Sequence, residues 1–60
     1  MVYDKVKEAC DKKGISISKL ERDAELGRGT VRKWQTSSPT IDTLKAAAKV
    51  LGVDVKKLID

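Results

Sequence analysis

Three basic side chains in a stretch free of acids are the residues best placed to do chemistry. Arg28, Arg32 and Lys33 lie between Glu25 and Asp42, and Leu26 to Ile41 holds no negative charge. A guanidinium donates in a planar fork that matches a phosphate, a carboxylate or the O6 and N7 edge of guanine; lysine offers a less directional charge. The chain as a whole is only mildly basic, with 13 basic and 9 acidic residues for a net charge of +4. Placement rather than total charge therefore points to a polyanionic partner. The N-terminal stretch mixes both signs, with Asp4, Glu8 and Asp11 among Lys5, Lys7, Lys12 and Lys13, as a solvated helix face does.

Other chemistries find few residues to work with. There is no histidine and one cysteine, Cys10, so neither a nucleophile–histidine pair nor a zinc site can be built. The carboxylates are scattered among lysines at salt-bridge spacing. Gly27-x-Gly29 is followed by no Gly-Lys-Ser/Thr and follows no strand pattern, which rejects a phosphate loop. The expectation is a non-enzyme with no cofactor, no metal and no small-molecule ligand. Cys10 falls on an apolar stripe and reads as a buried structural thiol. A chain that forms no internal disulfide fits the cytoplasm. No apolar run approaches the ~18 residues of a membrane span, and the N-terminus lacks the apolar core of a secretory signal.

The elements that must position the basic residues are helical. Sixty residues, 40% of them hydrophobic, with no Phe, predict one all-α domain over residues 1–60. A chain of this length buries only ~60% of its unfolded surface, so its stability is modest or shared with a partner. Val2, Tyr3, Val6, Ala9 and Cys10 recur at helical spacing, and Gly14 ends helix 1 near Lys13. Ser16 caps helix 2, with Ser18 as an alternative start, and Ile17, Leu20 and Ala24 form its inner stripe. Glu25-Leu26-Gly27 is the turn, Gly27 the N-cap, and helix 3 runs from Arg28 to about Gln35 with Val31 and Trp34 inward. Pro39 marks a loop, and Thr40 caps helix 4, whose stripe is Ile41, Leu44, Ala47, Ala48 and Leu51. Gly52 ends that helix, and Asp54 caps a short last one, Val55 to Ile59. Tyr3 and Trp34 are both assigned to the core. A small basic helix held against a packed partner helix is what reading the DNA major groove requires.

Residues 16 to 34 resemble the helix-turn-helix of the phage Cro and repressor family of transcriptional regulators. Ser37-Ser38-Pro39-Thr40-Ile41-Asp42-Thr43-Leu44 looks like that family's loop and fourth helix, and Ala48 to Val53 looks like its alanine-x-x-Leu-Gly-Val ending. The resemblance covers essentially the whole chain. It implies a compact five-helix bundle of the lambda-repressor-like type that binds a double-stranded operator as a weak symmetric homodimer, with helix 3 in the major groove. Residue by residue, Arg28, Gly29 and Lys33 match sites that face base edges. Arg32 matches a more exposed site reaching bases or phosphate. Ser16, Ile17, Thr30, Thr36 and Ser37 match sites near the sugar-phosphate backbone. Three positions depart from the pattern. Glu25 stands where the turn usually has glycine and takes left-handed backbone if the turn keeps its path. Ile17 replaces a polar residue at the start of helix 2, and Gly27 replaces a Ser or Thr cap.

The leading expectation is a sequence-specific regulator, a repressor, with no membrane partner. Val55, Leu58 and Ile59 either form the dimer surface, less whichever the core consumes, or are all simply core. The alternative is a protein-interaction module, antitoxin-like or antirepressor-like, on the same scaffold. RNA or single-strand binding ranks third, because both aromatic residues are assigned to the core.

Overall fold

A computed structural model describes residues 1–59. It contains four α-helices followed by a single turn of 3₁₀ helix, and no strand among the described residues. Helix α1 spans Val2–Lys13, α2 Ile17–Asp23, α3 Thr30–Lys33 and α4 Ile41–Leu51; the 3₁₀ helix spans Val55–Leu58. The all-α expectation holds, with a correction to the count: the fifth helix is a 3₁₀ turn rather than an α-helix. The domain measures 24 × 23 × 18 Å. No described helix is long and apolar enough to cross a membrane.

Most boundaries follow from local side-chain chemistry. The Lys19 amide donates to Ser16 Oγ at 3.0 Å, so Ser16 rather than Ser18 starts α2. The Thr43 amide donates to Thr40 Oγ1 at 3.3 Å, and the Lys56 amide donates to Asp54 Oδ1 at 2.9 Å. Helices α1, α2 and α4 all stop by one device, in which two amides beyond the last turn bond back to carbonyls near the helix end. Ile15 donates to Cys10 and Gly14 to Asp11; Leu26 donates to Glu21 and Glu25 to Arg22; Val53 donates to Ala48 and Gly52 to Lys49. The device needs one left-handed residue. Gly14 and Gly52 supply it at φ 78° and 70°, and Glu25 supplies it at φ 58°.

The core forms where α1, α2, α4 and the 3₁₀ helix meet. Val6, Cys10, Leu20, Val31, Trp34, Leu44, Ala47, Ala48, Leu51 and Leu58 are buried in one cluster. Burial raises the Cys10 thiol above its ordinary value, with Asp11 adding to the effect, so the thiol is an inert packing group. Two apolar expectations change. Ile41, counted in the α4 stripe, is 53% exposed because it sits in the first turn, overhanging the edge of the core. Leu58, left open between a dimer surface and the core, is 1% exposed and belongs to the core; a domain this small has few apolar residues to spare. Val55 is half-buried and Ile59 is 43% exposed.

Candidate nucleic-acid interface

The segment carrying Arg28, Arg32 and Lys33 is held differently from every other element. Helix 3 is shorter than its expected Arg28-to-Gln35 span, and its N-cap is Gly29 instead of Gly27. The reason lies in the backbone. Gly29 adopts φ 83°, which ends any helix running through it. The Thr30 amide bonds the Gly27 carbonyl at 3.1 Å, closing a tight turn over Arg28 and Gly29. At the far end Trp34, Gln35 and Thr36 donate to Val31, Arg32 and Lys33, three residues back, so the chain tightens out of α geometry.

A four-residue helix whose cap is glycine has no side chain of its own to accept its first amides. Glu21 of α2 does this from a distance. Its Oε2 accepts from the Val31 amide at 2.9 Å, and its Oε1 accepts from the Gly29 amide at 3.2 Å. Glu21 is 6% exposed and is the one charged residue in the buried class among the described residues. A buried carboxylate must be saturated by donors, and two amides at a helix start provide strong, charge-assisted ones. The Glu21 carbonyl also receives the Leu26 amide at 2.7 Å. One residue thus closes the end of α2 through its backbone and the start of α3 through its side chain.

The sequence offered no local signal for this pairing, because its partners lie 8 and 10 residues away. The scattered-carboxylate reading holds for Glu8 with Lys12, Asp11 with Lys7 and Asp23 with Lys19, and fails for Glu21. The usable clue was a helix start lacking any nearby acceptor. On the outer face of α2 the Lys19 ammonium donates to Asp23 Oδ2 at 2.9 Å, which holds the Asp23 carboxyl below its ordinary value.

Around this joint the structure gathers part of the expected site. A groove of about 770 Å³ opens between α1, α2 and the α3 segment, and Ile17, Arg28, Gly29 and Arg32 all line it. Tyr3, Ser18, Arg22 and Leu26, none of them among the residues expected to bind, complete its wall around Glu21. Tyr3 is accordingly half-buried at the groove rather than fully in the core. Lys33 is exposed and lies outside the groove lining, as do Ser16, Thr30, Thr36 and Ser37. Of these, Ser16 Oγ is engaged in the α2 cap. Thr36 Oγ1 donates to the Lys33 carbonyl at 3.3 Å, Thr30 is half-buried, and Ser37 is exposed. Arg28 and Arg32 are exposed, and their side chains make no ion pair or hydrogen bond with any described residue. The arrangement presents the exposed guanidiniums of Arg28 and Arg32 on one groove, which suits it to bind anions.

The model of the Cro/C1-type HTH DNA-binding domain matches residues 5–60. No curated protein and no solved structure gives a match. Running from within α1 through the turn, α4 and the 3₁₀ helix, the match places the chain in the family of Cro/C1-type helix-turn-helix DNA-binding domains.

Proposed function

We propose that the chain is a regulator, acting as a repressor, that reads a double-stranded operator through the α3 segment laid in the major groove. The observation that carries this reading is the exposure of Arg28, Arg32 and Lys33, from a stretch of sequence free of acids, on a segment tied to α2 by Glu21. Arg28 bonds a guanine edge, a contact worth about 1–3 kcal/mol of discrimination. Lys33 contacts a base edge or a phosphate, and Arg32 reaches either. Gly29, with no side chain, permits close approach, for instance to a thymine methyl. Ser16, Ile17, Thr30, Thr36 and Ser37 lie along the sugar-phosphate backbone and set the register. A domain that occupies an operator acts first by excluding other proteins, which makes repression the simplest outcome.

Symmetric pairing places two α3 segments one helical turn of DNA apart, about 34 Å. With Leu58 in the core, Ile59 and the exposed side of Val55 are what the last turn offers to a second copy.

Selection of binding sites from random duplexes tests the reading. The wild-type domain should enrich a consensus containing guanine, and the Arg28→Ala, Lys33→Ala pair should lose it while Trp34 fluorescence reports an intact fold. A consensus unchanged in the pair rejects this use of α3. No duplex binding even at low salt rejects DNA reading altogether and turns attention to a protein partner.

A further inference from the structure

The groove beside α3 contains more cation than base reading uses. Three arginines line it, Arg22 from α2 and Arg28 and Arg32 from the α3 segment. None of the three side chains makes an ion pair or hydrogen bond with a described residue. Glu21 is the one carboxylate of the lining, and both its oxygens are occupied by the Gly29 and Val31 amides. The neighbouring acid Asp23 lies outside the lining and is hydrogen-bonded to Lys19 at 2.9 Å, with the Arg22 charge acting on it more weakly. The groove thus holds three guanidiniums and no available internal anion, with the hydroxyl-bearing residues Tyr3 and Ser18 in the same wall.

We infer that this groove is a phosphate-binding subsite of the DNA surface and that Arg22 is its principal ligand. The inference rests on the DNA reading above. Two observations favour a DNA phosphate over an acidic protein segment. The groove is continuous with Ile17, Arg28 and Gly29, which the proposed docking turns toward the duplex. Arg22 stands on the first helix of the motif, which crosses the backbone while the second enters the groove. Its partner is therefore a phosphate flanking the bases that face Arg28. Arg22 adds affinity and register and carries no base preference.

The test is fluorescence anisotropy on the selected duplex and on a scrambled one, between about 50 and 200 mM salt. Arg22→Gln should weaken binding to both duplexes by the same factor and leave the selected consensus unchanged. Its log affinity should fall with log salt less steeply by about 0.9, so the gap from wild type closes by about eightfold per tenfold rise in salt. Arg22→Lys should restore the wild-type slope. Lys49→Gln makes the same charge change on the exposed side of α4 and should leave the slope unaltered. An unchanged slope and affinity in Arg22→Gln, with the Arg28→Ala, Lys33→Ala pair still losing the consensus, overturns the subsite and leaves the DNA reading standing. An equal slope change in Lys49→Gln overturns it as well, because net charge then accounts for the effect. Absence of duplex binding by the wild type overturns both.

Discussion

Helices α3 and α4 begin in opposite ways. Helix α4 is capped by Thr40, the residue directly before it, whose hydroxyl accepts the Thr43 amide. Helix α3 is capped by a carboxylate eight and ten residues earlier in the chain, because its own N-cap is Gly29. Eleven residues of α4 bury four apolar side chains, whereas the four residues of α3 bury Val31 alone. A single isolated turn is unstable in water. The α3 segment therefore exists as a feature of the docked α2–α3 pair, and the surface proposed to read DNA is only as rigid as that joint.

Breaking each cap in turn should separate the two cases. Glu21→Ala leaves the Gly29 and Val31 amides without their acceptor and should cost roughly 2–4 kcal/mol in chemical denaturation. A domain this small has little more than that in total, so Glu21→Gln, which keeps an acceptor oxygen, is the companion variant. In it, hydrogen exchange at Gly29 and Val31 should accelerate while the Leu44 and Leu51 amides of α4 stay protected. Thr40→Ala, the local equivalent, should cost about 1 kcal/mol and leave exchange at Gly29 and Val31 alone. Equal losses in Glu21→Ala and Thr40→Ala would remove the distinction.

The three helix ends sharpen the comparison further. Gly14, Gly52 and Glu25 occupy equivalent left-handed positions, but only glycine adopts that conformation without a steric penalty. Glu25→Gly should raise stability by about 0.5–1 kcal/mol, the strain relieved outweighing the entropy glycine adds to the unfolded chain. It also removes an acid from the rim of the motif, so duplex affinity should rise slightly. A loss of stability would show that Glu25 makes a compensating contact.

The same contrast explains what could be read from the residues. Ser16, Thr40, Gly52 and Asp54 act on amides or turns within a few positions, so their roles were legible, as was the apolar register of Leu20, Val31, Trp34 and Leu44. The positive φ at Glu25 was legible too, since the helix-ending turn has a fixed steric demand. Three things depended on tertiary placement. Glu21 looks like a surface acid until α3 is folded back over α2. Gly29, not Gly27, takes the cap, where its φ of 83° accompanies a turn over Arg28 and its amide donates to Glu21. Leu58 closes the 3₁₀ turn facing inward, and Ile59, just past its end, stays 43% exposed. In the candidate site, Ile17, Arg28, Gly29 and Arg32 line one groove; Arg22, from the same helix as Ile17, and Tyr3, from α1, join them, which spacing alone does not reveal.

The most direct test of the account is an amide-resolved NMR titration of the domain with its selected duplex. Shifts should concentrate at Ile17, Ser18, Arg22 and the Arg28-to-Lys33 segment, and leave the last turn of α1 and the 3₁₀ helix nearly unmoved apart from residues that pair two copies. Shifts centred instead on Lys12, Lys13 and Lys57, which line a separate groove between α1 and the 3₁₀ helix, would contradict it.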